Sequence, residues 1–176
     1  MMKDHILAAI EHEIRVCKHL YTKFSAEHWD YRPMEGMRST LELLRYLAGC
    51  SISMVHALTQ GYKDETGEYV FRHYTYLEEM PADQFIAEMD KQWAGIQQFF
   101  ATLTDSDLTT KQVKIPWEKE PVPLGQGLID CGVKFLTAYR MQLFLYAKLA
   151  VDPELNTANC WAGIDWKRDA EKTETS

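Results

Sequence analysis

Trp29-Asp30-Tyr31-Arg32-Pro33-Met34-Glu35-Gly36-Met37-Arg38-Ser39-Thr40-Leu41-Glu42-Leu43-Leu44-Arg45-Tyr46-Leu47 is the stretch that decides the fold of this 176-residue chain. Its first half breaks any helix, because Pro33 has no amide proton and Gly36 favours a turn. Its second half opens one. Ser39 is a good N-cap, and Glu42, three residues later, completes a capping box. The helix that follows runs to about Gln60, where Gly61 supplies the residue that ends it.

Working outward, three more helical patterns appear. Upstream, Ile6, Ile10, Ile14, Cys17, Tyr21 and Phe24 recur at three and four residues, which predicts an amphipathic helix from about Asp4 to Phe24. Downstream, a polar loop with Asp64, Glu65, Thr66 and Gly67 precedes a third helix. That helix opens at Pro81-Ala82, reaches Phe100 or Leu103, and buries Phe85, Met89, Trp93, Ile96 and Phe100. Asp105, Ser106 and Asp107 at its end read as turn chemistry. Val113-Lys114-Ile115-Pro116-Trp117 reads as extended, since Pro116 excludes a helix interior. A fourth helix spans about Leu124 to Ala150, with Leu128, Cys131, Phe135, Tyr139, Gln142, Tyr146 and Leu149 as its core stripe. Val133 and Phe144 fall on its outer side and suggest an interface. The pattern is an all-α four-helix bundle over residues 1–152, with a long connection between helices 3 and 4. Residues 153–176 form a C-terminal tail that packs in part and frays from Lys167 to Ser176.

Composition excludes several classes. A net charge of −7, with no run of five basic residues, argues against nucleic-acid binding. The first residues lead into an amphipathic segment rather than a signal peptide, and no stretch approaches the roughly 18 apolar residues of a membrane span. A cytoplasmic location away from membranes is the expectation. Cys17, Cys50, Cys131 and Cys160 form no CxxC pair and read as reduced, buried thiols.

The stretch quoted above resembles the DinB/YfiT-like superfamily, whose members carry a Trp, an Arg-Pro pair and a Gly before a Ser-capped helix reading Leu-x-x-His-Leu. Phe135-Leu136-Thr137-Ala138-Tyr139-Arg140-Met141-Gln142-Leu143 is similar to the same family's His-x-x-x-His-Arg-x-Gln-Leu. The resemblance implies a bundle, commonly dimeric, with a divalent metal on three histidines. It also implies an activity of the metal-dependent hydrolase or thiol-transferase kind. Two histidines one turn apart and a third from another helix would leave open metal positions for water or thiolate.

This chain departs at all three ligand positions, with Tyr46, Phe135 and Tyr139 where the histidines belong. Phenylalanine cannot ligate a metal, and a phenol is a poor ligand near neutral pH. His5, His12 and His19 offer no replacement, because seven residues of helix rise about 10.5 Å, and they read as a solvated face. No cofactor is expected. The departures point to a metal-free bundle that is either small-molecule-binding, with a pocket around Tyr46, Phe135, Tyr139, Cys50, Cys131 and Gln142, or structural, with the aromatic rings filling its core; the resemblance implies a homodimer. No catalytic residue can be assigned. The alternative is a family-type hydrolase or thiol transferase with altered ligands, or with Tyr46 and Tyr139 as acid–base groups. That alternative requires a lowered tyrosine pKa.

Overall fold

The structure, a computed structural model, describes residues 2–166; the fraying expected from Lys167 onward lies outside them. Helix α1 spans Met2–Tyr21 and buries Ile6, Ile10, Ile14, Cys17 and Leu20. It packs between α4, Phe85–Ala101, and α7, Lys134–Ala150. Opposite it lie α2, Thr40–Leu47, and α3, Cys50–Gln60, which together complete an all-α four-helix bundle. The Ser39 hydroxyl accepts from Glu42 N at 3.2 Å, and the Glu42 carboxylate accepts from Ser39 N at 2.8 Å. Two otherwise orphaned amides are thereby satisfied.

The helix expected from Ser39 to Gln60 is broken at Ala48–Gly49. Two long-range contacts account for the break. A Cβ on Gly49 would lie 2.6 Å from Leu77 Cδ1, so any larger residue would push the Leu77 side chain aside. The freed backbone groups are met by Gln92 of α4, which is buried. Its side-chain oxygen accepts from Ser51 N and Ile52 N at 3.2 and 3.1 Å, and its nitrogen donates to Leu47 O at 3.0 Å. A single amide side chain thus caps both halves of the break.

The polar loop expected before helix 3 is followed by a run of 3₁₀-helix, Val70–Glu79, strapped across α2 and α3 by buried Val70 and Leu77. The acidic turn after α4 is itself a short helix, α5, Asp105–Thr110, capped by Thr104 and Asp107 in a second capping box. A two-residue hairpin pairs β1, Gln112–Val113, with β2, Val122–Pro123.

The fourth helix begins as α6, Leu124–Gly127, passes through a π-helical turn, Leu128–Val133, and continues as α7. The wide turn corrects the core stripe expected on this helix. A π turn adds a residue per turn and advances everything after it by one position. The buried positions beyond it are therefore Leu136, Arg140, Leu143, Tyr146 and Ala147. Phe135, Tyr139 and Gln142 are only half-buried, and Leu149 is 67% exposed. Val133 and Phe144, expected on an outer interface, are half-buried and pack against the core.

Arg140 is fully buried and pairs with Glu13 of α1. It also donates to the carbonyl of Cys160. That carbonyl belongs to a π-helical turn, Ala158–Ala162, with which the chain folds back over α1. Gly163 closes the turn at φ +61°, where a side chain would be strained and a Cβ would lie 3.2 Å from Val16 Cα. The solvated face expected for His12 and His19 is corrected here. His12 Nε2 lies 2.7 Å from Trp161 O and His19 Nε2 lies 3.3 Å from Asn159 Nδ2, so both help seat this segment. His5 is exposed.

Candidate functional site

The break between α2 and α3 has a second consequence, because it leaves room beside it. A cavity of about 650 Å³ opens there, with the 3₁₀ strap as one wall. Tyr46, Gly49, Cys50 and Ser53 line it from α2 and α3. Phe71, Tyr74 and Leu77 line it from the strap, and Phe135 from α7. The size suits a small organic molecule.

Tyr46 and Tyr139 face each other across two helices with ring centroids 4.4 Å apart. Phe135 follows at 6.3 Å from Tyr139, and Trp117 at 5.9 Å from Phe135. The Arg38 guanidinium lies over this cluster, 4.3 Å from the Tyr46 centroid and 5.8 Å from that of Tyr139. A cation over two π faces is a favourable arrangement worth about 0.5–1 kcal/mol in partly exposed sites. Burial pushes the Tyr46 phenol well above its ordinary pKa, and the hydrogen bond with Tyr139 adds to the rise. Tyr46 is therefore a neutral phenol at any physiological pH.

Of the other residues expected at the site, Cys50 lines the cavity, but burial holds its thiol at about 12, far from a reactive thiolate. Cys131 and Gln142 do not line it. Burial pushes the Cys131 thiol to about 12, and Asp130 adds to the rise. Gln142 donates to the Tyr146 hydroxyl at 2.8 Å, and that hydroxyl donates to Arg38 O at 2.9 Å. Gln142 therefore acts one step removed, fixing the backbone that carries Arg38. All four cysteines are buried and unpaired.

Two cationic residues lining the cavity, Arg38 and Arg45, did not emerge from sequence as site residues. Arg45 donates through Nε to Met80 O at 2.8 Å, which ties α2 to the end of the strap. The useful signal was Arg38 and Arg45 seven residues apart, flanking the start and end of the Ser39-capped turns. Polar residues at a helix edge are so commonly solvated that the spacing alone does not single them out. Phe71 and Tyr74 were hidden because a 3₁₀ run carries no 3.6-residue periodicity.

Behind Tyr74 lies a second polar group. Its hydroxyl is 3.1 Å from His56 Nδ1, and the His56 ring stacks on Phe99 at 4.6 Å. His73 Nε2 lies 2.8 Å from Asp64 Oδ2. Burial, and then the neighbouring His73, lower the His56 pKa. Among the described residues, no three His, Cys, Asp or Glu side chains come together in a way that could hold a metal ion.

The family model described as DinB superfamily matches residues 9–129. Among solved structures, a DinB-like protein from Bacillus subtilis, YjoA, is similar in fold. Its TM-score is 0.61 at 16% sequence identity, over 82% of this chain and 90% of that one. A search of curated proteins finds no match. Among the described residues, no helix is long and apolar enough to cross a membrane.

Proposed function

This chain belongs to the DinB superfamily, and from that premise we propose that it is a member without the histidine-held metal, whose bundle binds a small molecule in the cavity beside Tyr46. One observation carries the reading: a guanidinium stands 4.3 Å from the ring of Tyr46, a residue at a family ligand position. A divalent cation there would face a fixed positive charge, a neutral phenol and, at Phe135, a hydrocarbon. None of these is a competent ligand set. The residues present do not fit the metal, so no step of a mechanism runs through one.

The acid–base alternative with Tyr46 needs a phenol that ionises near neutrality. The Tyr46 phenol moves in the opposite direction. Nucleophilic chemistry at Cys50 meets the same objection, since burial keeps the proton on sulfur. What the cavity offers is shape, aromatic faces and cationic N–H donors, which are the means of binding rather than of covalent catalysis.

Elemental analysis of the purified protein tests the proposal. We expect well under one metal ion per chain, and we expect Tyr46→His, Phe135→His and Tyr139→His combined to create binding of Zn, Ni or Mn. Stoichiometric metal in the unsubstituted protein would overturn it. A homodimer stays part of the proposal on the strength of the family likeness and a cytoplasmic location on that of the sequence's composition; sedimentation velocity reads the association state directly.

A further inference from the structure

Arg38 and Arg45 are the charges that the cavity leaves unanswered. Arg38 makes no side-chain hydrogen bond or ion pair among the described residues, and Arg45 makes one bond, through Nε, leaving its two terminal nitrogens open. Neither lining carboxylate is bonded to them, although Glu42 lies within electrostatic reach of Arg38. Glu42 is held by Arg32, whose Nη1 and Nη2 donate to its two oxygens at 2.7 and 2.8 Å, and it also accepts from Ser39 N. The Arg32 hydrogen bonds, foremost, hold the Glu42 carboxyl at about 2, so it stays charged and occupied. Glu78 lines the cavity too, but it is solvent-exposed and pairs with no described cation.

The arginines are also held in place. The Tyr146 hydroxyl anchors the Arg38 carbonyl, the Tyr46 ring supports its guanidinium, and Met80 O fixes Arg45. Preorganised guanidiniums lose little freedom on meeting a partner, and their planar forks match the oxygens of a carboxylate or sulfonate. The remaining wall is apolar and aromatic, from Tyr46, Phe71, Tyr74 and Phe135. Resting on the reading of this cavity as a ligand site, we propose that its ligand is a small organic anion. A flat aromatic body would lie against the tyrosine and phenylalanine faces, and its acidic group would be bound by Arg38 and Arg45. The specificity lies in the charge; the aromatic wall alone would accept a neutral ring equally well.

Two matched fluorescent probes test this. Anilinonaphthalene sulfonate and N-phenylnaphthylamine share an aromatic body and differ in the sulfonate. Titrated into the intact protein, the sulfonate should bind at least about tenfold tighter, and added salt should narrow the gap. Arg38→Gln should remove about tenfold of the sulfonate's affinity and leave the neutral probe unchanged. Arg45→Gln should act likewise, and Arg45→Lys should restore part of the loss. Arg38 is exposed, so its variant should fold, and a melting curve of each variant checks this. Equal affinity for the two probes, or a sulfonate affinity indifferent to Arg38→Gln, overturns the anion inference while leaving the cavity a ligand site. Binding of neither probe overturns both. The metal content of the protein does not enter this comparison.

Discussion

Two arginines lie against aromatic rings at similar distances, Arg140 at 4.7 Å from Trp161 and Arg38 at 4.3 Å from Tyr46, yet they do opposite jobs. Arg140 is fully buried, paired with Glu13 and bonded to the Cys160 carbonyl, so it ties α1, α7 and the returning C-terminal segment together. Arg38 is exposed at the rim of the cavity, with its backbone fixed and its guanidinium unclaimed. The same side chain is structural where its charge is paired inside the protein, and available for recognition where it is not. Desolvation makes the difference. A buried charge must be paired, whereas a charge at a wet rim can wait for a partner.

The sharpest way to break this contrast is to unpair the buried member. Glu13→Leu leaves the Arg140 charge uncompensated and should cost about 3–5 kcal/mol in urea unfolding. Adding Arg140→Met should recover much of that. Arg38→Gln should cost no more than about 1 kcal/mol, because its charge gains only from an exposed contact with the tyrosine rings. Equal losses from the Glu13 and Arg38 variants would erase the distinction.

Next in size is the break that creates the cavity. Gln92→Leu strands Ser51 N, Ile52 N and Leu47 O without partners, and it should cost about 2 kcal/mol by the same measurement. The smallest effect concerns the exposed pair beside the site. Glu42 is held at about 2 in the folded protein against a usual 4.5. Its contribution is therefore present above about pH 4.5 and lost as pH falls toward 2. Glu42→Gln should flatten that part of the stability–pH curve. As an exposed ion pair its share is small, below about 1 kcal/mol.

Much of the architecture was legible because it is local. The Ser39–Glu42 capping box, the Ile6–Cys17 stripe and the extent Leu124–Ala150 each depend on residues within a turn or two of one another. What sequence did not give depends on distant partners. The break at Ala48–Gly49 needs Gln92, some forty positions away, and Leu77 in the strap. Glu13 sat in plain view among Ile10, Ile14 and Cys17, a carboxylate in an apolar stripe, but its partner became visible only once the π turn had rotated Arg140 inward. At the site, the family resemblance brought attention to Tyr46, Phe135 and Tyr139, while Arg38 and Arg45 lay at helix edges.

The π turn at Leu128–Val133 also works as a phase setting for the whole of α7. One residue corresponds to about 100° of helix rotation. Deleting a single residue within the turn would revert it to ordinary α-helix and swing every later side chain by that angle. Arg140 would turn away from Glu13, and Tyr139 away from Tyr46, at the same stroke. The ion-paired core and the aromatic wall of the cavity are thus geared to one another through a single extra residue.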